Sequence, residues 1–161
     1  MSSIQVENGN SDEKSLCLDY LRARKWYAYN TKRSASGSQP VDVLAFKGTK
    51  DGTSVVLFLD AKNQEKGRSF PFSRIEQNQE TSMLFCSRYC GNNPDHMGFV
   101  VFFSVGGEKE AMFLSYPKYR ELMESGAKSA PMDEMVRFDS FLDGLDRKYF
   151  AEKDKQVVDI I

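Results

Sequence analysis

The chain has 161 residues and a formal net charge of −1, with 40% hydrophobic and 28% charged residues. This length and composition are typical of one globular domain with its own hydrophobic core. No apolar run is long enough to span a membrane, and the polar first twelve residues exclude a signal peptide. Three cysteines without framework spacing favour a reducing compartment over a disulfide scaffold. We therefore expect a cytoplasmic protein with no membrane partner.

The predicted elements alternate between helices and strands along the chain. In order, we expect a disordered segment at 1–10, a helix at 11–24, a strand at 26–29, a basic loop at 31–38, a hairpin of strands 41–46 and 54–62, a helix at 73–89, a hairpin of strands 98–105 and 111–115, helices at 117–124 and 132–145, and a charged tail at 151–161. This order predicts an α/β fold over 11–150, with a mixed sheet flanked by helices in a single domain.

The small net charge hides an uneven distribution. Residues 20–90 carry 12 basic and 6 acidic side chains, and the rest of the chain is acidic. A locally basic surface is the usual electrostatic footprint of nucleic-acid binding. Chance segregation of charge is the alternative explanation.

Two aspartates and a lysine are predicted to meet at the ends of neighbouring strands. Asp42 begins one apolar strand, and Asp60 and Lys62 end the next. Strand residues two apart share a face, so Asp60 and Lys62 would project together beside Asp42. Carboxylates are hard ligands for Mg²⁺, and an amine there can stabilise transition-state charge. The pattern predicts metal-assisted phosphodiester hydrolysis. A turn-bonding Asp42 and a simple Asp60–Lys62 ion pair are the structural alternatives.

The residues around this pattern resemble a known family. The similar segments are Leu59-Asp60-Ala61-Lys62, Ser69-Phe70-Pro71-Phe72, Asn78-Gln79, the strand from Gly98 to Phe103, and Lys128-Ser129. Together they resemble the recombination protein U Holliday junction resolvases of the PD-(D/E)xK nuclease superfamily. The resemblance implies a restriction-endonuclease-like fold and a homodimer that cleaves four-way DNA junctions in recombination or repair. It also implies Mg²⁺, with Mn²⁺ as an alternative, and a bacterial or phage-infected host.

The resemblance also implies roles for particular residues. Asp42 and Asp60 would bind the metal, joined by the Ala61 carbonyl. Lys62 would position the attacking water, and Gln79 would lie near the site on the following helix. Glu13 would be the acid that such nucleases carry on their first helix, and thus a further catalytic residue.

Candidate DNA contacts lie in two basic segments. Ser36 belongs to a Ser-Gly-Ser loop like one that precedes the first acid in archaeal relatives, with Lys32 and Arg33 beside it; a solvated linker is the alternative. Further candidates are Lys66, Arg68 and Arg74.

Three departures from the family pattern stand out, namely Val41 for threonine, Asp60 for glutamate and Asn78 for histidine. Two rival functions stay open: a PD-(D/E)xK nuclease acting on other DNA structures in restriction or repair, and a non-catalytic DNA-binding modulator of recombination.

Overall fold

A six-stranded mixed sheet forms the centre of the computed structural model, which describes residues 12–31 and 41–150. The helices are α1 (Asp12–Arg22), α2 (Gln77–Tyr89), α3 (Tyr116–Glu124) and α4 (Phe138–Leu145). The strands are β1 (Tyr27–Asn30), β2 (Val43–Gly48), β3 (Ser54–Gln64), β4 (Ser69–Pro71), β5 (Met97–Val105), β6 (Glu108–Ser115), β7 (Ser129–Pro131) and β8 (Val136–Arg137). The predicted mixed α/β fold in one domain is confirmed.

The strand order in the large sheet is β1-β2-β3-β5-β6-β8. Every neighbouring pair is antiparallel except β3 and β5, which run parallel. A parallel pair needs a crossover connection, and the segment carrying α2 provides it. β4 and β7 form a separate two-stranded antiparallel sheet.

Two hydrophobic clusters cover opposite faces of the sheet. The first contains buried residues of α1 and α4, and the second contains buried residues of α2 and α3. Successive strand residues point to opposite faces, so β5 contributes Val100 to the first cluster and Phe99 to the second. The fold is therefore a sheet with a helical layer on each side.

The predicted hairpin of the strands that begin near residue 98 and end near residue 115 is confirmed, and its turn lies at Gly106-Gly107. Both glycines have positive φ, 59° and 84°, and they join β5 directly to β6. Positive φ at both central residues matches the turns that best fit the twist of a two-residue hairpin.

Several predicted boundaries were wrong by a few residues. The first helix ends at Arg22, not at residue 24, and β3 continues to Gln64. The segment predicted as one helix from residue 73 is split, because a 3₁₀ turn at Phe72–Arg74 precedes α2. The true start of α2 follows Glu76, which forms a capping box with Gln79.

The prediction of one helix over 132–145 was wrong. Met132–Glu134 forms a 3₁₀ turn, Val136–Arg137 adds strand β8 to the edge of β6, and only Phe138–Leu145 is α-helical. Met135 belongs to the second hydrophobic cluster and Phe138 to the first. The chain passes from one face of the sheet to the other here, which a continuous helix could not do.

The segment predicted to be disordered and the predicted charged tail lie outside the described residues. Within 12–31 and 41–150, no helix has the length and apolar character required to cross a membrane.

Candidate active site

The candidate site lies where β2 and β3 stop pairing. Their last paired residues are Val43 and Leu59, whereas the pairing of β3 with β5 continues to Gln64. Beyond Leu59, β3 therefore has a free hydrogen-bonding edge on the β2 side. Asp42 occupies it, because its Oδ2 accepts a hydrogen bond from the backbone N–H of Ala61 at 3.0 Å. The divergence of two strands thus places the first aspartate beside the second.

Asp60 is fully buried at this point of β3. Its Oδ1 accepts a hydrogen bond from Nε2 of Gln79 at 2.9 Å. Its Oδ2 lies 3.1 Å from Nζ of Lys62 but accepts no hydrogen bond. A buried carboxylate oxygen that is not hydrogen-bonded is costly, so its retention calls for an explanation.

Lys62 projects beside Asp60 as the strand alternation predicts. Its Nζ bridges Asp60 Oδ2 and the side-chain oxygen of Gln79, at 3.1 Å and 3.2 Å. The ion pair considered as the structural alternative is therefore present. It offsets the charge of Asp60, but the pair does not explain why a second buried carboxylate, Asp42, lies beside it.

The helix cap of α2 fixes the orientation of Gln79. Its side-chain oxygen turns back to accept a hydrogen bond from the Glu76 N–H at 3.0 Å, which completes the capping box. The same amide then has its N–H₂ group directed at Asp60. One buried glutamine therefore joins the start of α2 to both Asp60 and Lys62.

A second lysine, Lys14 on α1, approaches the site. Its Nζ lies 3.5 Å from Oδ1 of Asp42. Cys17, one turn further along α1, is fully buried, and burial followed by the charges of Asp42 and Asp60 raises its thiol pKa. We call the five side chains of Lys14, Asp42, Asp60, Lys62 and Gln79 the acid cluster.

The charge of Asp42 opposes the ionisation of Asp60. Burial, and then the charge of Asp42, raise the pKa of Asp60 to about 7, although Lys62 acts in the other direction. Two carboxyl groups held this close cannot both carry charge without a compensating cation. At Asp60 the cost of burial and the charge of Asp42 therefore outweigh the ammonium group of Lys62.

The donor set fits a divalent metal ion. Two buried carboxylates that repel each other, one with a non-bonded oxygen, are suited to a hard cation. Among the described residues, no group of three or more His, Cys, Asp or Glu side chains could hold a metal ion. A metal here would rely on Asp42 and Asp60 plus carbonyl, water or phosphate oxygens, as Mg²⁺ commonly does. The predicted role of the Ala61 carbonyl remains a prediction.

The structure gives less support to a catalytic role for Glu13, the predicted first-helix acid, than for Asp42 and Asp60. Glu13 lies on α1 and is half-buried, but it forms no three-carboxylate group with Asp42 and Asp60. The neighbouring Lys14 contacts Asp42 instead. A metal or catalytic role for Glu13 stays a prediction. Lys14 was not predicted, because its contact with Asp42 joins two parts of the chain that are far apart in sequence.

The predicted DNA contacts divide into two groups. Lys32, Arg33 and Ser36 lie outside the described residues. The other three lie near the far end of β3, on the chain that follows it, and all three are exposed: Lys66, Arg68 and Arg74.

Arg74 is held against the end of β3 by hydrogen bonds. Its Nη1 donates hydrogen bonds of 2.7 Å to the Asn63 carbonyl and to Oε1 of Gln64. Lys109 of β6 reaches the same end of β3, with its Nζ 3.4 Å from Glu65. Lys109 was not predicted, because it lies more than forty residues away in sequence.

The comparisons with known proteins leave the chemistry to be argued from this geometry. No family model matches the sequence. No curated protein matches it. Among solved structures, the chain is similar to a nuclease from a fusselovirus over 84% of this chain and 90% of that chain, with 12% sequence identity and a TM-score of 0.43. A likeness at this level says nothing about activity.

Proposed function

We propose that this protein is a metal-dependent DNA endonuclease that resolves four-way junctions. The observation that carries the proposal is the meeting of Asp42, Asp60 and Lys62 where two strands diverge. An Asp60 oxygen is left without a hydrogen bond there. The same groups are required for metal-assisted cleavage of a phosphodiester.

Each residue of the site has a definable task. Asp42 and Asp60 would hold the divalent ion, which when bound supplies Lewis-acid stabilisation and a more acidic water molecule. Lys62 keeps a positive charge beside the acids, where it can orient the attacking water and stabilise charge on the phosphate. Gln79 holds Asp60 and Lys62 in place, so less reorganisation is needed during the reaction.

The choice of a four-way junction as substrate rests on the resemblance to the recombination protein U resolvases. Exposed basic side chains near the end of β3, including Arg74 and Lys109, provide positive charge for phosphate contacts. A two-fold junction cleaved symmetrically requires two sites, so we also propose a C₂ homodimer. Light scattering during size-exclusion chromatography would then give about twice the 18.3 kDa chain mass.

A cleavage assay tests the activity. The protein is incubated with a synthetic four-way junction, and separately with linear duplex of the same arm sequence, in Mg²⁺, Mn²⁺ or EDTA. We expect paired nicks in the junction with either metal, none in EDTA, and little cutting of the duplex. Asp60→Asn should abolish cleavage. Asp143→Asn, an exposed aspartate on α4, should cleave like the wild type.

Other outcomes would decide between the rival functions. Equal cutting of junction and duplex would contradict the junction preference and favour a nuclease with another substrate. Junction binding without cutting in either metal would contradict the endonuclease proposal and favour a DNA-binding modulator.

A further inference from the structure

Each buried aspartate of the acid cluster has its own lysine. Asp60 is paired with Lys62 at 3.1 Å, and Asp42 is paired with Lys14 at 3.5 Å. Two carboxylates and two ammonium groups make the cluster formally neutral without any metal. A divalent ion that enters an already neutral, buried site meets electrostatic competition from these ammonium groups.

The two lysines are held very differently. Lys62 is attached to β3 and its Nζ is also within hydrogen-bond distance of Gln79; its side chain is only 13% exposed. The Lys14 side chain is 33% exposed, and its distance to Asp42 is longer. A lysine with a flexible stem and access to water can move away at little cost. Lys14 is therefore the exchangeable cation.

Lys14 also approaches the oxygen of Asp42 that is not bonded to Ala61. Oδ2 of Asp42 accepts the Ala61 N–H and so helps to hold the two strands together. Oδ1 faces Lys14. A cation bound to Asp42 through Oδ1 and the Lys14 ammonium would occupy the same region.

We propose that Lys14 is an internal competitor for the metal, which leaves Asp42 when a divalent ion binds. The inference rests on the proposed metal-dependent function and adds a device that lowers metal affinity in the resting protein. Because the two cations exclude each other, each weakens the binding of the other by the same factor. Lys14 thus acts as a positioning residue that keeps Asp42 in an ion pair until a metal ion binds.

The test measures metal binding directly, without DNA and without turnover. Titration calorimetry with Mn²⁺ is performed on the full chain and on Lys14→Met. We expect the variant to bind Mn²⁺ about tenfold more tightly, because the competing charge is gone. Lys118→Met is the matched control. The Lys118 side chain is 34% exposed, and its Nζ lies 3.0 Å from Glu134 in an ion pair outside the acid cluster. Its Mn²⁺ affinity should equal that of the wild type.

A charge-retaining variant separates competition from a packing effect. Lys14→Arg keeps the positive charge and should not bind Mn²⁺ more tightly than the wild type. Thermal unfolding in EDTA confirms that each variant is folded before titration. If Lys14→Met folds poorly, Lys14→Gln is titrated instead, with the same expectation.

The outcomes distinguish this inference from the proposed function. If the wild type and Lys14→Met bind Mn²⁺ equally well, or if Lys14→Arg also binds more tightly, the competition is refuted while metal-dependent function stands. If no variant binds Mn²⁺, the metal-dependent function fails and the inference fails with it.

Discussion

Two groups of opposite charges stabilise different parts of this molecule. The acid cluster lies at the divergence of β2 and β3. The second group, which we call the arginine cluster, joins the end of α1 to α4 and is formed by Arg24, Lys47, Asp139, Asp143 and Asp146. In both clusters, aspartates contact basic side chains that lie far from them in the sequence.

The clusters differ in burial and in how completely their carboxylates are bonded. The three aspartates of the arginine cluster have side chains that are 45%, 50% and 31% exposed, and Arg24 donates to Asp143 at 2.6 Å. In the acid cluster, Asp42 and Asp60 are buried and one Asp60 oxygen accepts no hydrogen bond.

Water can compensate an exposed carboxylate, whereas a buried one depends on its neighbours. The arginine cluster therefore needs no ligand to explain it. The incomplete bonding of the buried acids is what points to a bound cation. The same side-chain types thus indicate structure in one place and chemistry in the other.

The largest expected difference between the clusters is in the cleavage rate after one buried lysine in each is replaced by methionine. Lys62→Met should lower the rate of junction cleavage by about 10²–10³-fold, because a cation that stabilises transition-state charge is lost. Lys47→Met, in the arginine cluster, removes a lysine of similar burial and should leave the cleavage rate unchanged. Single-turnover cleavage assays on folded protein measure both. Equal losses in the two variants would show that Lys62 has no specific role in the cleavage step.

Removing the bridge between α2 and the acids should have the next largest effect. Gln79→Ala frees both Asp60 and Lys62 from their shared partner and should weaken cleavage about 10–100-fold, which is typical when a residue that orients metal ligands is lost. Gln77→Ala, at the exposed first position of the same helix, is the control and should behave like the wild type. A Gln79 variant with full activity would remove this residue from the site.

Stability should respond in the opposite order. Lys47 donates to the Arg24 carbonyl at 2.8 Å and lies 4.5 Å from the ring centre of Phe150. Lys47→Met should therefore lower the free energy of unfolding by about 1–2 kcal/mol. Asp60→Asn in EDTA should not lower it, because burial and the charge of Asp42 raise the pKa of Asp60, so the folded protein disfavours its charged form. Urea unfolding gives both values. If Lys47→Met kept its free energy of unfolding and Asp60→Asn lost part of it, this prediction would be wrong.

The smallest effect is expected from the exposed ion pairs around Arg24. Arg24→Met should cost about 1 kcal/mol or less, since the aspartates it contacts are half-exposed. Raising KCl to about 1 M should reduce this difference, because exposed charges are screened. Thermal unfolding of the wild type and variant at low and high salt checks this. A difference that persists at high salt would mean that Arg24 contributes through packing.

Much of the fold could be predicted from local patterns. The apolar strands, the hairpin at Gly106-Gly107 and the mixed α/β architecture all follow from periodicity and turn residues. The prediction of one last helix was wrong at Met132–Glu134 and Val136–Arg137. The apolar residues of this segment have helical spacing, but they are buried on two different faces of the sheet. The spacing of apolar residues indicates which of them could share one face of a helix, but not which layer of the fold buries them.

The candidate site was predictable only in part. Asp60 and Lys62 are two residues apart on one strand, so their proximity is local. Gln79 was proposed from a resemblance, and the structure places it between them. Lys14 was missed, because its contact with Asp42 depends on how α1 packs beside β2.

The alternation of side chains along a strand is enough to present Asp60 and Lys62 together, so this part of the site follows from the amino-acid sequence. The contact of Asp42 with the Ala61 N–H, and that of Lys14 with the other Asp42 oxygen, depend instead on how the elements pack. These contacts join residues from separate elements, and their geometry is set by where β2 and β3 part and by the packing of α1. Local periodicity does not encode such long-range placement, so the contact between Lys14 and Asp42 could not be predicted.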